Sequence, residues 1–345
     1  MEGEYMDVVR IAGPGPSQIV DLPLPNICGD FVLVKIHSAP MCTEYKSFQN
    51  GDIGNSLGHE AAGEVVAIAQ PGKVQVGDRV VVMPQYPCGK CALCLTGDYI
   101  HCKNGVDPLA VCGSATGTAT FAQYCIKQDW LLLPIPDDVS YDHASMACCG
   151  LGPTFGAMER MSVTAVDTVL IVGLGPVGLG GIINARFRGA RVIGVDSNLY
   201  RTKLAMELGA EEVIDPADHN ALDRIFALTG GIGVDKAIDC TASPPAQQFA
   251  ISATRRRGET AFVGWGGHLS LDNMVPEGLT LHGIWHWNLR FEHKMMRMIH
   301  AVQPQLDRLV THIFPLRKVQ DAMNLQISGE CGKVILHPFD GTVQS

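Results

Sequence analysis

The sequence predicts an α/β protein built in two parts, a β-rich, barrel-like module followed by a doubly wound parallel sheet. Three observations carry this prediction. Up to about residue 140 the chain holds short apolar runs punctuated by Gly and Pro. From Val166 onward, apolar runs of strand length alternate with segments of helical length and spacing, the signature of βαβ units. One of those units carries a glycine-rich turn between its strand and its helix. With 345 residues, 46% of them hydrophobic and 18% charged, the chain is long and apolar enough for about two domains with ample core, and disorder is excluded as its main state.

Taken in order, the β-rich part contains Phe31-Val-Leu-Val-Lys-Ile-His37, Glu64-Val-Val-Ala-Ile68 and Arg79-Val-Val-Val-Met83, each flanked by turn residues. The texture changes near residue 150. Thr168–Val172 reads as a strand, Pro176–Arg188 as a helix, Arg191–Val195 as the next strand and Leu199–Leu208 as the next helix. Val234–Asp239 and Thr260–Val263 continue the strands. After about Trp285 the pattern turns helical, over Arg290–Val302 and Leu316–Gln326, and closes on a strand at Lys333-Val-Ile-Leu336.

Net charge is -9 and no basic block supplies a field for polyanions, so neither nucleic acid nor a membrane surface is an expected partner. The N-terminus, MEGEYMDVVR, lacks the apolar run of a signal peptide. The most apolar stretch, Val169–Ile183, is interrupted by six Gly or Pro residues and does not suit a bilayer span. A soluble, cytoplasmic protein is expected. In that compartment thiols stay reduced, so the twelve cysteines are expected to bind metal, do chemistry or pack, not to form disulfides.

Cys88, Cys91, Cys94 and Cys102 are spaced C-x2-C-x2-C-x7-C in a glycine-punctuated loop. Four thiolates gathered so closely suit a closed, tetrahedral structural zinc. Gly173-Leu-Gly175-Pro176-Val177-Gly178 follows a predicted strand and opens a predicted helix, which is the context a dinucleotide fingerprint requires. Gly173 serves the tight turn, Gly175 lets a pyrophosphate approach the backbone, and Gly178 permits close helix–strand packing. Pro176 opens the helix, and the free N–H groups from Val177 onward complete a phosphate site. Asp196 ends the next strand, where its carboxylate can bind ribose hydroxyls and repel a 2′-phosphate, so NAD is preferred over NADP. Arg201 either flanks the adenine or is a solvated helix residue.

A third signal is dispersed. His59 and Glu60 stand in Gly58-His-Glu-Ala-Ala-Gly63, with Cys42 upstream and Cys148-Cys149-Gly150 downstream. Cys, His and Cys from three segments can share one metal with a position left open, but spacing alone does not establish convergence.

On these residues the chain resembles the zinc-dependent medium-chain dehydrogenases/reductases, the alcohol and polyol dehydrogenase family. The resemblance spans G-H-E-x-x-G at Gly58–Gly63, the cysteine lobe, the fingerprint with Asp196 and the closing Gly332-Lys333-Val-Ile-Leu. It implies a GroES-like catalytic domain with a structural zinc lobe over residues 1–150 and a Rossmann NAD-binding domain over 151–284. A C-terminal segment, 285–345, would return to the catalytic domain. It also implies two zinc ions per chain and a homodimer or homotetramer.

By resemblance His59 matches the zinc histidine, Glu60 its neighbouring carboxylate, which supports the ligands or serves as an alternate one, and Cys149 the third ligand. The family usually shows Cys, any residue, Ser or Thr, then Asp, whereas this chain reads Met41-Cys42-Thr43-Glu44. Aligning Thr43-Glu44 with the family's Thr-Asp puts Met41 at the ligand position. A thiolate is the better zinc ligand, so Cys42 is preferred, with Thr43 a candidate to relay the alcohol proton.

The expected reaction moves a hydride between NAD and a secondary alcohol, polyol, cyclitol or sugar. Trp285-His286-Trp287-Asn288 either lines the substrate site or forms a packing cluster. Rival readings are a zinc-free reductase of the same fold and a non-enzymatic zinc- and nucleotide-binding protein. The remaining cysteines, Cys28, Cys112, Cys125, Cys148, Cys240 and Cys331, read as small apolar residues.

Overall fold

Apolar, β-branched runs that must bury both faces form the centre of each sheet. A computed structural model describes residues 5–339 except 12, 14–16, 53, 55, 271 and 273. Two units are distinguished, one of residues 1–148, 288–303 and 310–345, the other of 149–287 and 304–309.

The first unit starts with an antiparallel pair, β1 (Tyr5–Arg10) and β2 (Gln18–Pro23). Its main sheet is organised on β3 (Phe31–Pro40), the longest strand, with β4 (Ala61–Ile68), β5 (Arg79–Val82), β6 (Tyr124–Gln128) and β7 (Leu132–Pro134). The second unit follows with six parallel strands. These are β8 (Thr168–Val172), β9 (Arg191–Val195), β10 (Glu212–Ile214), β11 (Val234–Asp239), β12 (Thr254–Phe262) and β13 (Thr280–Gly283). Their order is β10-β9-β8-β11-β12-β13, so the sheet reverses direction beside β8, where the fingerprint turn begins. The chain then rejoins the first unit with β14 (Val310–Pro315) and β15 (Lys333–His337). The order there is β14-β15-β3-β4-β5-β7, with β6 on the same β3.

Each unit has its own core. Val34, Ile36, Met41, Val65, Phe121, Leu132 and Val334 are among the fully buried residues of the first. Leu170, Ile193, Ile225 and Ala237 belong to the second.

Two segments differ from the sequence reading. Val310–Pro315, between the two segments read as helical and given no element of its own, is a strand, because its backbone pairs in parallel with β15. The strand expected from Thr260 starts at Thr254, its first half hidden in the sequence by Arg255, Arg256 and Arg257. A register irregularity between Val234 and Lys236 and a left-handed Arg257 (φ 57°) let that polar half join the ladder.

Candidate metal and cofactor sites

The cysteine-rich loop brings four sulfurs to one point. The Sγ–Sγ distances are 3.5 Å for Cys91–Cys94, 3.6 Å for Cys102–Cys88, 3.8 Å for Cys91–Cys102 and 4.0 Å for Cys88–Cys94. A zinc tetrahedron with Zn–S bonds of about 2.3 Å has S–S edges of about 3.8 Å, so the loop fits the ion without rearrangement. Backbone N–H groups, first that of Lys90, lower the Cys88 thiol to about 6, favouring thiolate. Burial pushes Cys94 up to about 12. With four sulfurs filling four positions, this group has no open coordination site.

The dispersed residues also meet. His59 and Glu60 lie at the entry to β4, and Cys42 follows the end of β3. Cys149 is peptide-bonded to Cys148, the last residue of the first unit's opening segment. One ligand atom from each of Cys42, His59, Glu60 and Cys149 lies within 4.8 Å of the others. Met41, the alternative ligand position, is fully buried in the β-core. Cys148 turns aside, its thiol donating to the Val82 carbonyl at 3.4 Å. Thr43 and Lys46 are exposed beside the group, Thr43 preceding the helix Glu44–Asn50.

The surroundings of the dispersed group are charged, with Glu44, Glu60 and Lys333 buried. Glu44, which sequence reasoning passed over, is buried and places one carboxylate oxygen 2.7 Å from His59 Nδ1. Its other oxygen accepts the Cys42 N–H at 2.8 Å. Burial works against the Glu44 anion, but His59 and these hydrogen bonds prevail and hold its carboxyl below the usual value. For His59, too, burial opposes charge, yet Glu44 raises the imidazole to about 11 in the metal-free arrangement. His59 Nε2 faces the other way, 3.9 Å from Glu60.

Glu60 is fully buried, and Lys333 Nζ, equally buried, donates to it at 2.9 Å. Burial still pushes Glu60 up to about 7 against the pull of Lys333. Lys333 opens β15, and its place at the strand's start gives no sequence sign that the amine is buried.

In the second unit the fingerprint builds a phosphate cradle. Gly173 has φ 87°, and a Cβ there would meet Thr241 Cγ2 at 2.4 Å. A Cβ on Gly178 would lie 1.8 Å from the Gly173 carbonyl oxygen, so only glycine lets this helix approach its strand. At Gly175 nothing lies within 4 Å of such a Cβ, leaving its backbone approachable by a ligand. Pro176 occupies the first turn of the helix Pro176–Phe187, and the helix N-terminus points its free N–H groups outward.

Asp196 braces this turn, accepting the Leu174 N–H at 2.6 Å and the Asn198 N–H at 2.8 Å. Arg201 Nε is buried without a hydrogen-bond partner among the described residues, as suits a residue that meets a ligand oxygen. These features fit a dinucleotide.

The 285–288 run divides. Trp287 is buried edge-on against Phe155 at 6.0 Å. Asn288 caps the turn Leu289–Phe291 and donates to the Thr96 carbonyl at 2.9 Å, bracing the cysteine lobe. Trp285 stays partly exposed beside the exposed Trp265, ring centroids 5.1 Å apart.

Comparison with known proteins agrees with this geometry. Residues 29–137 match the alcohol dehydrogenase GroES-like domain, and residues 176–305 match the zinc-binding dehydrogenase domain. Over 338 residues the chain is 32% identical to the sorbitol dehydrogenase of Bacillus subtilis, covering 93% of this chain and 94% of that one. The chain belongs to the zinc-dependent medium-chain dehydrogenase family.

Another member, the L-threonine 3-dehydrogenase of Symbiobacterium thermophilum, is 30% identical, with 95% of each chain covered. The crystal structure of an alcohol dehydrogenase from Thermotoga maritima superposes with a TM-score of 0.85 at 25% identity, covering 98% of this chain and all of that one. As a member of this family the chain is an oxidoreductase whose cofactors are NAD and zinc, and its residues fit both. No helix among the described residues is long and apolar enough to cross a membrane.

Proposed function

We propose that this dehydrogenase transfers a hydride between NAD and a secondary alcohol, with a polyol, cyclitol or sugar as its substrate class. The observation that carries the reading is the meeting of Cys42, His59, Glu60 and Cys149 within 4.8 Å. Its members are unlike the four equivalent sulfurs of the other group. Cys42, His59 and Cys149 are proposed as ligands of a catalytic zinc, with Glu60 as a neighbouring or alternate one. Three ligands leave a position open for an alcohol oxygen. When bound, zinc supplies a Lewis acid that lowers the alcohol's pKa, and NAD supplies the hydride acceptor.

The chain's own residues bind, orient and move protons. Glu44 fixes the His59 ring by taking its Nδ1–H. Lys333 keeps the carboxylate of Glu60 compensated where both side chains are fully buried. Thr43, exposed beside Cys42, is the candidate to hand the alcohol proton to water. Thr43→Val, with zinc retained, slows turnover if the hydroxyl carries the proton and leaves it at the wild-type rate if water alone does.

Gly173, Gly175, Pro176, Val177 and Gly178 are proposed to hold the NAD pyrophosphate, with Asp196 and Arg201 at the adenosine end. Cys88, Cys91, Cys94 and Cys102 are proposed to hold a structural zinc. A cytoplasmic location is proposed because both cysteine groups require reduced thiols. A homodimer or homotetramer is proposed on the family resemblance alone.

The test is a panel of primary alcohols, secondary alcohols, polyols and sugars with NAD, read by NADH absorbance. Turnover of polyols or sugars above primary alcohols supports the reading. No NADH from any member of the panel contradicts it.

A further inference from the structure

The segment Cys42-Thr43-Glu44 is one residue shorter than the Cys, any residue, Ser or Thr, Asp of the family pattern, and its acid is one methylene longer. The structure shows what that longer side chain reaches. Glu44 opens the helix Glu44–Asn50, and its carboxylate folds back over the residues before the helix. One oxygen takes the Cys42 N–H at 2.8 Å and the other sits 2.7 Å from His59 Nδ1. A single buried group therefore spans the backbone of one proposed ligand and the ring of another.

The opposite side of Cys42 is held as well. Its carbonyl accepts Gln326 Nε2 at 3.3 Å, from the helix Val319–Ser328, which packs beside Glu44–Asn50. Gln326 is buried, with 6% of its surface exposed.

We propose that Glu44 and Gln326 are positioning residues that clamp a shortened ligand segment, the longer glutamate standing in for the residue the segment lacks. An aspartate at position 44 would withdraw the carboxylate by one methylene and could not serve both Cys42 N–H and His59 Nδ1. With its Nδ1–H unpartnered, the imidazole would lose the hydrogen bond that fixes its tautomer and aims Nε2 into the ligand group. Gln326 keeps the Cys42 peptide from rotating when that support weakens. This rests on the zinc reading above.

The experiment compares wild type, Glu44→Asp, Glu44→Gln, Gln326→Leu and Glu44→Asp carrying one alanine inserted between Cys42 and Thr43. Each full-length protein is challenged with excess chelator while zinc release and melting temperature are followed. The zinc of the cysteine loop serves as the internal reference. Glu44→Asp is expected to lose the zinc of the dispersed group about 10–100-fold faster, with the reference zinc and melting temperature held. Glu44→Gln keeps the side-chain length but not the charge. It reads the same loss, more weakly, should Glu44→Asp fail to fold.

The inserted alanine is expected to restore retention in the Glu44→Asp background, and Gln326→Leu to accelerate loss a few-fold. Zinc retention in Glu44→Asp and Glu44→Gln indistinguishable from wild type overturns the proposal, as does an inserted residue that worsens the loss. A wild-type protein holding only the reference zinc overturns the zinc reading, and this inference with it.

Discussion

The two ligand groups of this chain solve the same chemical problem in opposite ways. The cysteine loop gathers four sulfurs from Cys88 to Cys102, so local backbone geometry alone brings them to 3.5–4.0 Å of one another. The dispersed group draws Cys42, His59, Glu60 and Cys149 from distant segments and surrounds them with Glu44, Lys333 and Gln326. A closed site needs only its ligands. A site with a position to offer a substrate needs ligands aimed by their neighbours, and those neighbours are buried polar groups, Lys333 and Gln326 being brought in by the tertiary fold. The dispersed site is accordingly the more costly to build and the easier to damage by one substitution.

The largest expected effect comes from cutting the dispersed group. His59→Ala should lower turnover by about 10³-fold or more, while zinc in the cysteine loop and NAD binding persist. Zinc analysis beside steady-state NADH formation reads both, and near-normal activity would remove His59 from the site.

Cutting the loop should do the reverse. Cys94→Ser leaves a buried hydroxyl where the tetrahedron needs a thiolate. It should cost about 3 kcal/mol, seen as a melting temperature lower by about 5 °C or more, with the dispersed group still loaded. An equal loss of both zincs would make the two sites one cooperative unit.

A third region separates cofactor from metal. Asp196→Ala removes the acceptor that braces Leu174 and is proposed to bind the ribose, so the NAD dissociation constant should rise by about 10–100-fold at unchanged zinc content, measured by fluorescence titration.

The smallest effect is a charge row without any ligand role. Lys236, Glu259 and His282 sit on adjacent strands β11, β12 and β13, with Glu259 bonded to both neighbours. Burial opposes the Glu259 anion, but its hydrogen bonds to Lys236 and His282 hold its carboxyl below its ordinary value of 4.5. Its contribution is therefore complete above about pH 4.5 and is lost as pH falls through the lower folded value. Glu259→Gln should cost about 1 kcal/mol at pH 7, because the carboxylate keeps part of its surface in water, and the gap to wild type should close in acid. Denaturant midpoints measured from neutral pH to below the carboxylate range would show this. A gap that widens in acid would reverse the sign of the argument.

What was legible in the sequence follows the same division. Strands β8 and β9 were readable because, after the exposed Arg191 that opens β9, all their positions are buried on both faces. Strands such as β2, β13 and β14 were not, since short strands with mixed polarity gain their identity from a partner strand. Cys88, Cys91, Cys94 and Cys102 were legible by spacing. His59 was legible only inside its Gly58–Gly63 motif and through the family resemblance. Glu44 lay two residues from Cys42 and gave no local sign that its carboxylate would reach His59. The tie between Lys333 and Glu60 crosses most of the chain, and only the pairing of β15 with β3 makes it possible.

The dispersed group is proposed as a second, catalytic zinc site, and one titration decides it. Zinc content and NADH formation on an accepted polyol or secondary alcohol should be followed together while the purified wild-type protein is titrated with chelator. Two zincs per chain are expected at the start, with turnover lost in step with the first one removed while the cysteine-loop zinc stays. One zinc per chain in fully active protein, or turnover that persists after the dispersed group has been stripped, would contradict the proposal.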